Sequence, residues 1–134
     1  FVGGSETTTN ALSGGVRLLI EHPEQWDRLK SDPNTYLPIL VEEVLRLESP
    51  VQRLTRTAAV DVEMHGVTIP AGTSVLISYA AANRDPSKFP DPDKFDIERT
   101  NARTHIALQK PQHRGFLRQI TFDLCNRTRL RSGQ

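Results

Sequence analysis

Apolar residues recur at helical spacing through the first half of the chain. In NALSGGVRLLI this spacing predicts a helix that packs against a core through Ala11, Leu12, Val16, Leu19 and Ile20. Gly14 and Gly15 weaken the prediction, because each costs about 1 kcal/mol relative to alanine in a helix. The stretch EHPEQWDRLKSDP predicts a second helix, with Pro23 at its first position and Pro33 after its end.

A third helix is predicted for TYLPILVEEVLRLESP, closed by Ser49-Pro50. At 100° per residue its apolar face comprises Leu37, Leu40, Val41, Val44 and Leu45, and Glu42 points toward solvent. Glu43 falls on a line between Ile39 and Leu47, with Arg46 three residues on. The spacing of Glu43 and Arg46 by itself suits a surface pair. The two flanking aliphatic side chains favour a buried ion network instead.

The period of the pattern changes after residue 50. VQRLTRTAAVDVEMHGVTIPAGTSVLISYA is rich in β-branched residues and is interrupted by His65-Gly66 and Pro70-Ala71-Gly72, which predicts strands and turns. ANRDPSKFPDPDKFD contains three prolines within seven residues, so we expect an irregular stretch there. The fold class expected from these patterns is α+β and mainly helical.

Composition and charge add a boundary to this picture. The chain has 134 residues, the size of one ordinary domain, and a net charge of +1. Residues 1–100 carry a net charge of −5 and residues 101–134 a net charge of +6, which indicates a tail or a boundary near this point. A single cysteine fits a reducing compartment, and no apolar run approaches membrane-helix length. We therefore expect a cytoplasmic protein without a membrane partner, and the start at Phe1 suggests a piece of a longer chain.

Three groups of residues are candidates for chemistry. In GGSETTT, Glu6 and Thr7 could form an acid–hydroxyl pair near a ligand, although the spacing by itself favours a helix start capped by Ser5 or Thr7. Arg53 and Arg56 could hold an anionic group or could lie on a solvated strand edge. The four histidines show no metal-ligand spacing with Cys125.

The order of four pieces carries a resemblance to a known family. GGSETT, EEVLR, SPVQRLTRTA and GVTIPAGTSVLISYAAANRDPSKFPDPDKFDIER follow one another in residues 1 to about 108. In this order they resemble the second half of a cytochrome P450, a haem-thiolate monooxygenase, of the soluble bacterial kind. The resemblance implies a partial cytochrome P450 fold of core helices, a small β-sheet and a meander over residues 1–108.

The resemblance also implies roles for individual residues. Glu6 and Thr7 would be catalytic and supply protons for dioxygen activation, and Arg56 would pair with a haem propionate. Glu43 and Arg46 would be a structural ion pair that ties the core helix to the meander, with Lys94 at the meander position that often carries arginine or histidine. The intact family inserts one oxygen atom from dioxygen into a small organic substrate. Its electrons come from NAD(P)H through a ferredoxin or flavoprotein partner.

The tail departs from the family pattern. After a stretch like HIAL the family continues into a glycine-rich loop that carries the cysteine ligand of the haem iron, whereas no glycine lies close to Cys125. Cys125 is therefore a poor candidate for the iron ligand, and the metal ligand stays unknown. We interpret residues 109–134 as an atypical basic tail that is not native family sequence. We expect this chain alone to bind haem weakly or not at all and to be inactive.

The basic tail leaves one alternative function open. The chain could be a non-enzymatic interaction module whose basic C-terminal arm binds nucleic acid or acidic partners. A nucleic-acid partner is disfavoured, because residues 109–134 contain only two aromatic residues, Phe116 and Phe122, and no binding motif.

Overall fold

Three consecutive helices open the computed structural model, which describes residues 2–107, with side chains from residue 5 onward. They are α1 (Val2–Glu21), α2 (Pro23–Ser31) and α3 (Pro33–Glu48). A proline stands at the start of α2 and another at the start of α3, where its missing N–H is not needed. The carboxylate of Asp32 caps α3 by accepting a hydrogen bond from the amide of Thr35 at 3.3 Å.

Four short strands follow the helices. They are β1 (Arg53–Thr57), β2 (Val62–Met64), β3 (Val67–Ile69) and β4 (Ser74–Ser78). β1 pairs with β4, and β2 pairs with β3 in an antiparallel hairpin that sets Val62 opposite Ile69. His65 and Gly66 form the two-residue turn of that hairpin with φ values of 50° and 77°, as a primed turn requires.

The rest of the described chain is largely irregular. The short helix α4 (Tyr79–Ala82) follows β4 directly, and a 3-10 helix (Ala102–Thr104) comes near the end. Between them the proline-rich stretch forms turns, as the sequence predicts. The expected α+β, mainly helical fold with small sheets and a meander is therefore confirmed.

The described residues divide into two compact units. One comprises residues 2–52 and 78–107, and the other comprises residues 53–77, with β1, β2, β3 and nearly all of β4. The hydrophobic core of the first unit consists of Leu18, Leu29, Leu40, Val44, Leu47, Phe95 and Ile97. Within the described residues, no helix has the length and apolar character that crossing a membrane requires. The boundary predicted near residue 109 lies outside the described residues and stays a prediction.

The apolar pattern predicts the buried face of α1 only in part, because Leu19 packs against the core but three other predicted residues do not. Leu12, Val16 and Ile20 are 67%, 58% and 75% exposed. The side that packs contains Gly15 instead, where an added Cβ would lie 3.2 Å from Cγ2 of Val44. The glycines that weakened the helix prediction are therefore the residues that let α1 approach α3 closely.

Candidate functional site

The buried centre of the first unit contains an ion pair within α3. Glu43 and Arg46 lie three residues apart, and neither side chain has exposed surface. Nε of Arg46 donates to Oε2 of Glu43 at 2.7 Å, and Nη2 donates to Oε1 at 2.8 Å. These two parallel bonds form a fork that a lysine could not reproduce. The interpretation as a surface pair is therefore wrong.

Arg46 uses all the N–H groups of its guanidinium. Besides the fork, Nη1 donates to the backbone carbonyls of Asn83 at 2.9 Å and Pro92 at 2.6 Å. Nη2 also donates to the carbonyl of Lys94 at 3.2 Å, and the guanidinium lies 5.2 Å from the centre of the Phe89 ring. A buried charge is tolerated only when it is paired and hydrogen-bonded, and these contacts meet that condition. They also fasten the irregular stretch after α4 to α3.

Arg99 is the third charged member of this network. Its Nε donates to Oε1 of Glu43 at 3.0 Å, and its side chain is only 7% exposed. Its Nη atoms donate to the carbonyls of Pro90 at 2.7 Å and Asp91 at 2.9 Å. The carboxylate of Glu43 is thus shared by two arginines from distant parts of the chain.

The sequence-based expectation for this third position is wrong. Lys94 contributes its backbone carbonyl to both arginines, but its ammonium group is largely exposed and lies 3.6 Å from the carboxylate of Asp96. The ERT triplet at residues 98–100 contains the arginine that does the pairing. No spacing rule could have found it, because 56 residues separate Arg99 from Glu43.

Glu6 and Thr7 lie inside α1. The helix begins at Val2, so neither Ser5 nor Thr7 caps it. The Glu6 side chain is exposed and that of Thr7 is half-buried. Hydroxyls of this segment bond back to the preceding turn, as Thr9 does to the carbonyl of Ser5 at 2.8 Å. The proton-supply roles of Glu6 and Thr7 stay a prediction.

Arg56 belongs to β1 in the other unit and is half-buried. Its Nη1 donates to the carbonyl of the adjacent Thr55 at 3.1 Å, the only hydrogen bond of this guanidinium within residues 5–107. Four further N–H groups can therefore reach an anion. Arg53, the other candidate of this segment, is exposed.

Sequence reasoning missed a histidine–carboxylate contact. His105 is 1% exposed, and its Nε2 lies 2.9 Å from Oε2 of Glu42. Glu42 was expected to point into solvent, and this expectation is wrong, because its side chain is only 15% exposed. Within residues 5–107, no group of three or more His, Cys, Asp or Glu side chains could hold a metal ion. Cys125 lies outside the described residues.

Comparisons with known proteins assign these features to one family. The family model described as Cytochrome P450 matches residues 1–116. A putative cytochrome P450 140 of Mycobacterium bovis is 51% identical over 113 residues, which cover 84% of this chain and 26% of that protein. A steroid C26-monooxygenase of Mycolicibacterium smegmatis is 43% identical over 108 residues, or 81% of this chain and 26% of that protein. The chain thus spans about a quarter of the length of the curated relatives it matches.

A solved structure agrees with the sequence comparisons. P450BioI in complex with acyl carrier protein ligated by hexadec-9Z-enoic acid superimposes with a TM-score of 0.75 and 44% identity. The match covers 79% of this chain and 27% of that one. The match of the family model over most of the chain, together with this agreement in fold, shows that the chain belongs to the cytochrome P450 family.

Proposed function

We propose that this chain is part of a haem monooxygenase that inserts one oxygen atom from dioxygen into a small organic substrate. Family membership supports the reaction class. Within the structure, the proposal depends most on the buried network of Glu43, Arg46 and Arg99, which fastens the irregular stretch to α3. In this proposal the first unit supports the haem site, and Glu43 and Arg46 act structurally.

The named relatives do not point to one substrate. One is a monooxygenase of steroids, and the solved structure of another carries a fatty acid on an acyl carrier protein. We therefore propose only an organic substrate. A ferredoxin or flavoprotein would deliver electrons from NAD(P)H, and the cytoplasmic location stays a prediction.

Among the described residues, Arg56 is the one that we propose would hold a haem carboxylate. The guanidinium of Arg56 has free donors for a haem carboxylate, which a charge-assisted pair would hold firmly. Residues 5–107 contain no cysteine, and the single cysteine, Cys125, lies beyond them. Haem, when bound, would supply the site of dioxygen activation.

In this proposal Glu6 and Thr7 would deliver protons for dioxygen activation. The exposed carboxylate of Glu6 can exchange protons with water, and the half-buried hydroxyl of Thr7 can accept a proton and pass it inward. Both residues lie in α1, with Glu6 on the exposed side and Thr7 at a partly enclosed position. Thr8, the next residue along α1, is exposed and offers a matched control.

The test uses a chimera in which residues 5–107 replace the matching stretch of the Mycolicibacterium smegmatis steroid C26-monooxygenase. We expect T7A to lower the steroid product formed per NAD(P)H consumed by about tenfold or more, because a positioned proton donor contributes at least that factor. T7S keeps the hydroxyl and should retain most of the product yield, and T8A should leave the yield unchanged. Equal yields from T7A and T8A would remove Thr7 from the proposal.

The alternative function finds no support. An interaction module with a basic arm depends on residues 109–134, which lie outside the described residues, whereas the family match is to an enzyme family.

A further inference from the structure

Three further polar residues of the first unit are buried, and two of them border the ion network through Arg46. They are Ser49, Asn83 and His105, each at most 1% exposed. Ser49 follows α3, Asn83 follows α4, and His105 follows the 3-10 helix. Buried polar side chains need hydrogen-bond partners, so the partners of these three residues indicate what they do.

The contacts of His105 define its protonation state. Its Nδ1 accepts a hydrogen bond from the backbone N–H of Ala107 at 3.1 Å, so Nδ1 carries no proton. Nε2 therefore carries the proton of the neutral ring. It donates a hydrogen bond to Oε2 of Glu42 at 2.9 Å. One ring thus connects a carboxylate of α3 to a backbone amide two residues further along the chain.

Asn83 connects the backbone amide of Ile106 to Ser49. Its Oδ1 accepts a hydrogen bond from the N–H of Ile106 at 2.8 Å, and its Nδ2 donates to Oγ of Ser49 at 2.9 Å. Ser49 in turn donates to the carbonyl of Arg46 at 3.0 Å. Ser49 adopts a φ of 39°, in the left-handed region, which directs its hydroxyl back toward α3.

We propose that His105 and Asn83 are positioning residues that form a clamp, which fixes the amides of Ala107 and Ile106 relative to α3. The clamp has two independent anchors on the helix side, Glu42 through His105 and Ser49 through Asn83. If the proposed function holds, the clamp fixes Ile106 and Ala107, which in the family pattern precede the loop that carries the iron ligand. The clamp itself consists only of contacts within this chain and does not require haem.

The proposal predicts an effect at a distance. The amide of Ala107 donates to His105, and His105 in turn contacts Glu42, so a change at Glu42 reaches that amide through His105. We expect E42A to speed hydrogen exchange of the Ala107 amide by about three- to tenfold, the range expected for one lost buried hydrogen bond. E42Q keeps an acceptor oxygen and should restore most of the protection. In the H105A background, E42A should have no further effect.

The measurement is amide exchange by NMR on the full chain without haem, with E63A as the control. Glu63 is exposed on β2 in the other unit, so E63A should leave Ala107 unchanged. The ¹⁵N shifts of the unsubstituted chain should show His105 protonated at Nε2 and unprotonated at Nδ1. A proton on Nδ1 would overturn the proposal without any substitution.

Two further outcomes would overturn the proposal. One is unchanged exchange of Ala107 in E42A. The other is an equal acceleration at core amides such as those of Val44 and Leu47, which would mean that Glu42 affects overall stability and not position. All these readouts are independent of haem, so a failure of the proposed function would leave them intact.

Discussion

Glu43 shows how far a single residue could be predicted from the sequence. Its position between Ile39 and Leu47 favours burial, and burial of a carboxylate demands a cation. Arg46 follows from helical spacing, but Arg99 does not, because its placement depends on the path of the intervening turns. Asp91 has a φ of 47° within that path, a local conformation that aspartate tolerates and the sequence does not specify.

We expect R99A to lower the free energy of unfolding by about 2 kcal/mol, because Glu43 loses one of its two arginine partners and the carbonyls of Pro90 and Asp91 lose a donor. K94A should lower it by less than about 0.5 kcal/mol, because the exposed ammonium group of Lys94 contributes little. Urea denaturation of both variants measures the difference. If K94A lowered the free energy of unfolding more than R99A does, Lys94 and not Arg99 would be the third charged member of the network.

Among the elements, the sequence predicts the existence of the helices and the hairpin, but the buried faces of α1 and α3 only in part, since Leu40 and Val44 are buried whereas Leu37 and Val41 are exposed. Proline positions and turn residues are local signals, and they locate α2, α3 and the His65-Gly66 turn. The buried side of α1 depends on which neighbour approaches it. Gly15 lets α3 approach α1 because it has no side chain. Hydrophobic patterning looks for apolar side chains, so it cannot detect a packed face that depends on a glycine.

G15A should destabilise the chain although alanine favours helices. The helix gain is about 1 kcal/mol. The new methyl group would press on Val44, a buried and conformationally stiff residue, at an overpacking cost of about 1–3 kcal/mol. We expect a net loss of about 1 kcal/mol in thermal or urea unfolding. The control is S13A, at an exposed position of the same helix, which should not lower the free energy of unfolding. If G15A raised the free energy of unfolding as much as S13A does, α1 and α3 would not be in close contact.

The cap of α3 should make stability depend on pH. Its hydrogen bonds to Thr35 hold the pKa of Asp32 below the ordinary value. A carboxyl with a lowered folded pKa stabilises the fold above its unfolded pKa, and this contribution disappears as pH falls through the folded pKa. D32N keeps a good capping residue without the charge. We therefore expect the melting temperature of the unsubstituted chain to fall more on acidification than that of D32N, and parallel pH curves would contradict this.

At the scale of the whole molecule, the order of the pieces is the strongest signal in the sequence. Each motif by itself leaves alternatives open, yet their sequence along residues 1–108 indicates the family that the comparisons show. The contacts that join the pieces could not be predicted. His105 contacts Glu42 across 63 positions of sequence, and Arg99 contacts Glu43 across 56 positions. Only the folded chain brings these residues together.

We propose that the described residues form a cytochrome P450 framework able to support a haem-thiolate site. The carbon monoxide difference spectrum of the reduced chimera that carries residues 5–107 in the steroid C26-monooxygenase tests this proposal. We predict the thiolate-type Soret band of the intact host in this chimera, and its loss in a chimera with R46A, while this chain alone shows no such band. A folded chimera that binds haem without the thiolate-type band would contradict the account.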